Sequence, residues 1–312
     1  MLDLPFAPIL LSNLIDLTTF GLLLGILVLS LISLAFVFFL TLKSRTSRHL
    51  QNFNALWTVR FLLVVFILLW SLNELVRSPL VRRRYLNPLF PSLTIDQQVG
   101  LCSLQVALSL GLFEPGFLVT LLFLVNISVK KTTPSRSWAI VFLFVTCLPV
   151  LACQIVFLYV SNLELRLPEV FRRSSTTSQD VVLCGYPLMS TIIFGAFSGW
   201  YCLCFFLSSF KVVKLVINKG LRSRIYGLAI ATMVSLPLQV IALGLSALWR
   251  PDEETPFGAM TLLVLLFTSV LAAVGEGIVV IKPIIDSLVA GDELSPWLSG
   301  SRRISSPPAE TV

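Results

Sequence analysis

The chain has 312 residues, 56% of them hydrophobic and 12% charged, with a formal net charge of +7. A charged fraction about half that of a soluble domain excludes a fold that hides its apolar side chains from water, so lipid must be part of the solvent. The basic residues sit in short clusters between apolar stretches without interleaved aromatic motifs, which excludes nucleic-acid binding. A single histidine, His49, excludes most membrane metalloenzymes, and neither a cofactor, a metal nor an enzymatic activity is expected.

In chain order, residues 1–17 carry only Asp3 and Asp16 as charges and lack a basic signal-peptide head. They are expected to form a short non-cytosolic N-terminus, with the first span as its own targeting signal. Seven apolar stretches then meet the requirement of about 20 helical residues for a hydrocarbon core of roughly 30 Å. They run Thr18 to Leu42, Leu56 to Leu75, Leu101 to Val129, Trp138 to Val160, Pro187 to Phe210, Tyr226 to Trp249 and Gly258 to Ile281. The prediction is an all-α membrane protein, a seven-transmembrane helix bundle over 18–281. Residues 282–294 read as an amphipathic juxtamembrane segment and 295–312 as a disordered cytosolic tail.

Lys and Arg in short loops are retained on the cytosolic side during insertion. An outside N-terminus and cytosolic C-terminus place fourteen basic residues inside and eight outside. Arg82, Arg83 and Arg84 oppose this orientation, since they form a basic triplet on the outer face.

The same topology puts Cys102 and Cys184 together on the oxidising side, where they either form a disulfide that ties the second outer loop to the third helix or stay as two buried thiols. Three ionisable groups stand inside the spans, each costing roughly 2.5 to 3.5 kcal/mol on insertion scales unless paired or wetted. Arg60 and Glu276 lie at matched depths near the cytosolic ends of the second and seventh spans. They are expected either to pair as a latch or to remain separate, with Arg60 snorkelling and Glu276 neutral or hydrogen-bonded. Glu114 lies near the middle of the third span and is followed by Pro115 and Gly116, so a kinked helix beside a carboxyl is a candidate ligand or proton site, or a purely structural contact. Gly21 with Gly25, and Thr191, Gly195, Ser198 and Cys202, form small-residue stripes suited to close helix contact. The loop from Lys211 through Lys214, Lys219 and Arg222 to Arg224 has five basic residues and no acid, which fits membrane lipid or a cytosolic partner. Ser305, after Arg302 and Arg303, reads as a basic-directed phosphorylation site.

The segment Asn52-Phe53-Asn54-Ala55-Leu56-Trp57-Thr58-Val59-Arg60 and its continuation Glu74-Leu75-Val76-Arg77 resembles a family of plant seven-span proteins classed as candidate G-protein-coupled receptors. That resemblance implies a receptor-like protein talking to a heterotrimeric G protein. The chain departs from rhodopsin-like receptors, because Asn126 to Lys131 holds no acidic-Arg-aromatic triplet and the seventh span has no Asn-Pro-x-x-Tyr. The expected function is a receptor-like signalling protein of the plasma membrane or an endomembrane. The alternatives are a proton-coupled or small-solute transporter using Glu114 and a membrane scaffold that recruits cytosolic proteins.

Overall fold

A computed structural model describes residues 6–44, 57–86, 94–127, 136–159, 175–178, 181–216, 219–248 and 254–287. Seven helices in it are long and apolar enough to cross a membrane. They are α1 (Phe6–Ser44), α2 (Trp57–Arg77), α3 (Ile95–Ile127), α4 (Arg136–Tyr159), α5 (Leu188–Leu215), α6 (Lys219–Leu248) and α7 (Glu254–Gly275, continued by Glu276–Ile281). His49, Ser305 and the 295–312 tail lie outside the described residues, as do Leu288 and Val289 of the amphipathic segment.

α1 starts twelve residues before the expected Thr18, because Phe6 to Leu17 is itself a helix-compatible apolar run. Pro8 falls in its first turn, where the missing N–H breaks no intrahelical bond. α3 starts six residues before the expected Leu101, on a capping box: the Thr94 hydroxyl accepts from the Gln97 N–H, and the Gln97 side chain accepts from the Thr94 N–H. A two-stranded antiparallel hairpin, β1 (Ser175–Ser178) and β2 (Val181–Cys184), pairs Ser175 with Cys184. Nothing in the hydropathy of that segment predicted strands.

The helices close into a ring, with α1 against α2 and α7, α6 against α5 and α7, and α3 against α2, α4 and α5. α3 is the axis of the bundle: 83% of its most apolar window is buried, against 17% for α4. The outer faces stay apolar, as in Trp138, Val141, Phe144, Val145 and Leu148 on α4 and Ile230, Val234, Ile241 and Leu245 on α6. An exposed apolar belt on the helices around α3 belongs to a protein solvated by lipid, and the chain is an integral membrane protein.

Three stretches widen into π-helical turns: Arg82–Leu86, Ser109–Phe113 and Glu276–Ile281. The second and third are each followed, two residues after their end, by a helical proline, Pro115 and Pro283, while Pro88 stands at the same spacing in the sequence outside the described residues. A helical proline has no N–H to donate and clashes with the carbonyl four residues back, and a wider turn relieves both. At the second turn the Glu114 N–H accordingly bonds the Ser109 carbonyl, five residues back. Pro149 and Pro237 lie within α4 and α6 without such widening.

The small-residue stripes divide. A Cβ at Gly195 would come within 3.2 Å of Val240 on α6, so that position is a true close approach. Gly21 and Gly25 face open space within 4 Å, so α1 does not use them for packing in this bundle.

Candidate functional site

Glu114 stands at the centre of a buried polar cluster. The wide turn before it rotates its side chain inward, where one carboxylate oxygen accepts from Trp70 Nε1 of α2 at 3.1 Å. The other accepts from Gln239 Nε2 of α6 at 2.6 Å. Trp70, Glu114 and Gln239 are all fully or almost fully buried, so three helices meet on one carboxyl. Pro115 and Gly116 are also buried. A Cβ on Gly116 would stand 2.7 Å from the Phe66 ring, so glycine lets α2 and α3 meet here.

One turn along α2 after Trp70 lies Glu74, which hydropathy assigned to the end of the second span and did not mark as a buried charge. Ser109 Oγ lies 2.7 Å from its Oε1 and 3.5 Å from Oε1 of Glu114, so one hydroxyl touches both carboxyls. Glu74 Oε2 is 3.0 Å from the Arg77 guanidinium, with both side chains buried. The same oxygen accepts from Tyr186 OH at 3.5 Å, and Arg77 lies 3.9 Å over the Tyr186 ring. Burial pushes the Tyr186 phenol far above its ordinary range, so it stays a neutral donor.

The cluster continues along α3 toward its N-terminus. Asn73 Nδ2 donates to the Gln105 carbonyl at 3.1 Å, and Arg82 donates to Gln105 Oε1 at 3.2 Å and Cys102 Sγ at 3.1 Å. Burial, with Arg77 adding to it, lowers the Arg82 guanidinium to about 10, which leaves it charged at neutral pH. The expected basic triplet is therefore not a free surface patch, since Arg82 is buried against α3 while Arg84 is exposed. Cys102 and Cys184 are bonded, with Cα atoms 5.4 Å apart, which anchors β2 to the N-terminal part of α3 two residues before Tyr186. From Cys102 to Glu114 the polar column covers about 18 Å of helix.

Arg60 and Glu276 do not form the latch between α2 and α7. Glu276 is fully buried, and its two oxygens accept from Ser30 at 2.7 Å and Ser33 at 3.0 Å, both on α1. Serines three apart on one helix face hold a carboxyl as a clip, and the wide turn at Glu276–Ile281 aims that carboxyl at α1 rather than at α2. Arg60 is buried in the first turn of α2. Among the basic residues expected to contact lipid or a partner, Lys211, Lys214, Lys219 and Arg222 are exposed, while Arg224 donates to Asp286 at 2.6 Å.

Trp70, Glu74, Ser109, Gln239, Ser30 and Ser33 were not singled out in the sequence. Two signals bear on them: the Glu74 and Arg77 pair at helical spacing, and the proline that follows each wide turn. Among the described residues no group of three His, Cys, Asp or Glu side chains is placed to hold a metal.

No curated protein and no solved structure matches the chain. The chain belongs to the family described as uncharacterised conserved protein UCP031277, which matches residues 9–295.

Proposed function

We propose that this member of that family is a receptor-like signalling protein, resembling the plant candidate G-protein-coupled receptors, whose outer face is coupled to cytosolic partners through the Glu114 cluster. One observation carries the reading: a hydrogen-bonded path runs from the disulfide-anchored outer segment through Tyr186, Glu74, Ser109 and Glu114 to Gln239 on α6. A ligand that moves Tyr186 redistributes donors among the two carboxyls, and α6 responds because Gln239 is held by one of them. Such a coupling requires a ligand that favours one packing of the cluster over another.

We propose the same orientation as the sequence reading, with the N-terminus outside and the C-terminus in the cytosol. Support comes from the fourteen-to-eight charge asymmetry, from the bonded cysteines on the proposed oxidising side, and from the structural use of Arg77 and Arg82, two of the eight outer basic residues. Membrane-impermeant labelling of tags at both ends checks this, and a protected N-terminal tag overturns it. The plasma membrane or an endomembrane is the setting.

The test uses purified protein in nanodiscs with a panel of Gα subunits. Gln239→Leu frees α6 from Glu114 and is expected to raise basal nucleotide exchange on at least one Gα above that of the unmutated protein. No effect on any Gα sinks the reading. A proton-coupled carrier is the second reading, favoured by two buried carboxyls that share the Ser109 hydroxyl. Proton-driven solute uptake into liposomes that is lost in Glu114→Gln, without Gα exchange, would select it.

A further inference from the structure

At the ends of α5 and α6 joined by the basic loop, the two helices leave between them an open groove of about 640 Å³ lined by Phe206, Ser209, Phe210, Tyr226, Ile230 and Val234. That volume lies in the range of about 300 to 1,000 Å³ typical of small-molecule sites. Phe206, Phe210, Tyr226, Ile230 and Val234 are exposed, so the groove opens toward lipid, not toward the bundle interior. From Tyr226 to Val234 it follows α6 for about 12 Å, which fits within one leaflet of a hydrocarbon core of roughly 30 Å.

Two cations border it, and no acid lines it. Lys214 folds back so that Nζ lies 4.3 Å over the Phe210 ring, and Arg222 folds forward so that its guanidinium lies 5.7 Å over the Tyr226 ring. Each rests on an aromatic four residues nearer the membrane centre on its own helix, so both charges are held at the groove mouth. Arg224 is already engaged by Asp286 and adds no available charge. Deeper in the groove, buried Ser209 Oγ has no hydrogen-bond partner among the described residues.

We infer that this groove binds one anionic phospholipid, with an acyl chain along Phe206, Ile230 and Val234, its phosphate between Lys214 and Arg222, and an ester carbonyl accepting from Ser209. The vertical order of the protein groups, cation above hydroxyl above apolar wall, matches the order of phosphate, ester and chain in such a lipid. The inference rests on the membrane embedding alone and stands or falls separately from signalling.

Native mass spectrometry of the full chain, titrated with phosphatidylserine or phosphatidylcholine of equal chain length, tests it. Phosphatidylserine is expected to be retained preferentially. K214Q with R222Q is expected to weaken that retention roughly tenfold to thirtyfold, the size two interfacial charges supply. R224Q is expected to leave it unchanged. Ala229 on α6 also lines the groove, and Ala229→Phe, which fills it and keeps both cations, is expected to weaken both lipids. Equal retention of the two lipids, or unchanged retention in both the charge and the filling variants, overturns the inference. So does soluble glycerol phosphate competing as well as the lipid. A dimer cross-linked through cysteines placed at Phe206 and Ile230, without lipid retention, would assign the groove to a second copy of the chain.

Discussion

The bond between Gln239 and Glu114 provides a quantitative test of the cluster. At 2.6 Å it lies at the short limit for an N–H donor, and it is the only bond to that carboxylate oxygen among the described residues. Gln239→Leu removes it and leaves a fully buried acceptor unsatisfied, which costs about 1 to 3 kcal/mol in a soluble core. Polar contacts between membrane helices are worth less, about 0.6 kcal/mol on average and at most about 1.7, because the unfolded but inserted chain finds other partners. The expected loss is therefore about 0.6 to 1.7 kcal/mol. In a Glu114→Met background the same substitution should cost almost nothing, since it then removes an orphaned amide. Unfolding in mixed detergent micelles across this double-mutant cycle measures the coupling. Single effects that add to within about 0.3 to 0.5 kcal/mol would show that the two side chains do not interact, and the proposed path to α6 would lose its last link.

Further expectations follow from the other contacts. Ser30→Ala with Ser33→Ala should destabilise the bundle by about 1 to 2 kcal/mol in the same assay, each single change by less, because one serine still holds Glu276. Arg60→Gln and Glu276→Gln should be additive, and coupling between them would restore the latch that the structure does not form. Gly111→Ala should loosen α3 from α4 at a cost of about 1 to 3 kcal/mol. Its Cβ would lie 3.1 Å from the Leu151 backbone, which cannot rotate aside, and faster proteolysis of α4 is the readout. Cleaving the Cys102–Cys184 bond opens a loop of 82 residues, for which chain entropy sets an upper limit of about 4.5 kcal/mol. Helices that stay inserted keep the observed loss smaller. Reduction should therefore expose the β1–β2 hairpin to protease before the bundle unfolds, and simultaneous loss of both would contradict the local role given to the bond.

Hydropathy alone located all seven helices, because the need to satisfy every backbone group within lipid leaves long apolar helices as the natural solution for this composition. The residue-by-residue pattern also marked Glu114 and Glu276 as interior, since an isolated acid in an apolar span is costly wherever the helix is placed. What it left open were the partners. A pairing drawn from depth alone joined Glu276 to Arg60, but depth says nothing about azimuth, and a wide turn changes azimuth without changing depth. Only the packed bundle decided that Glu276 meets Ser30 and Ser33, that Glu114 meets Trp70 and Gln239, and that Cys102 reaches Cys184. The order of residues was enough to put the chain in a membrane and to mark Arg60, Glu114 and Glu276 as buried there, but not Glu74, Arg77 or Arg82, which lie at or beyond the end of an apolar run. Tertiary structure decided what those charges touch, because each contact depends on how a helix is rotated against its neighbours, a quantity that no single span encodes.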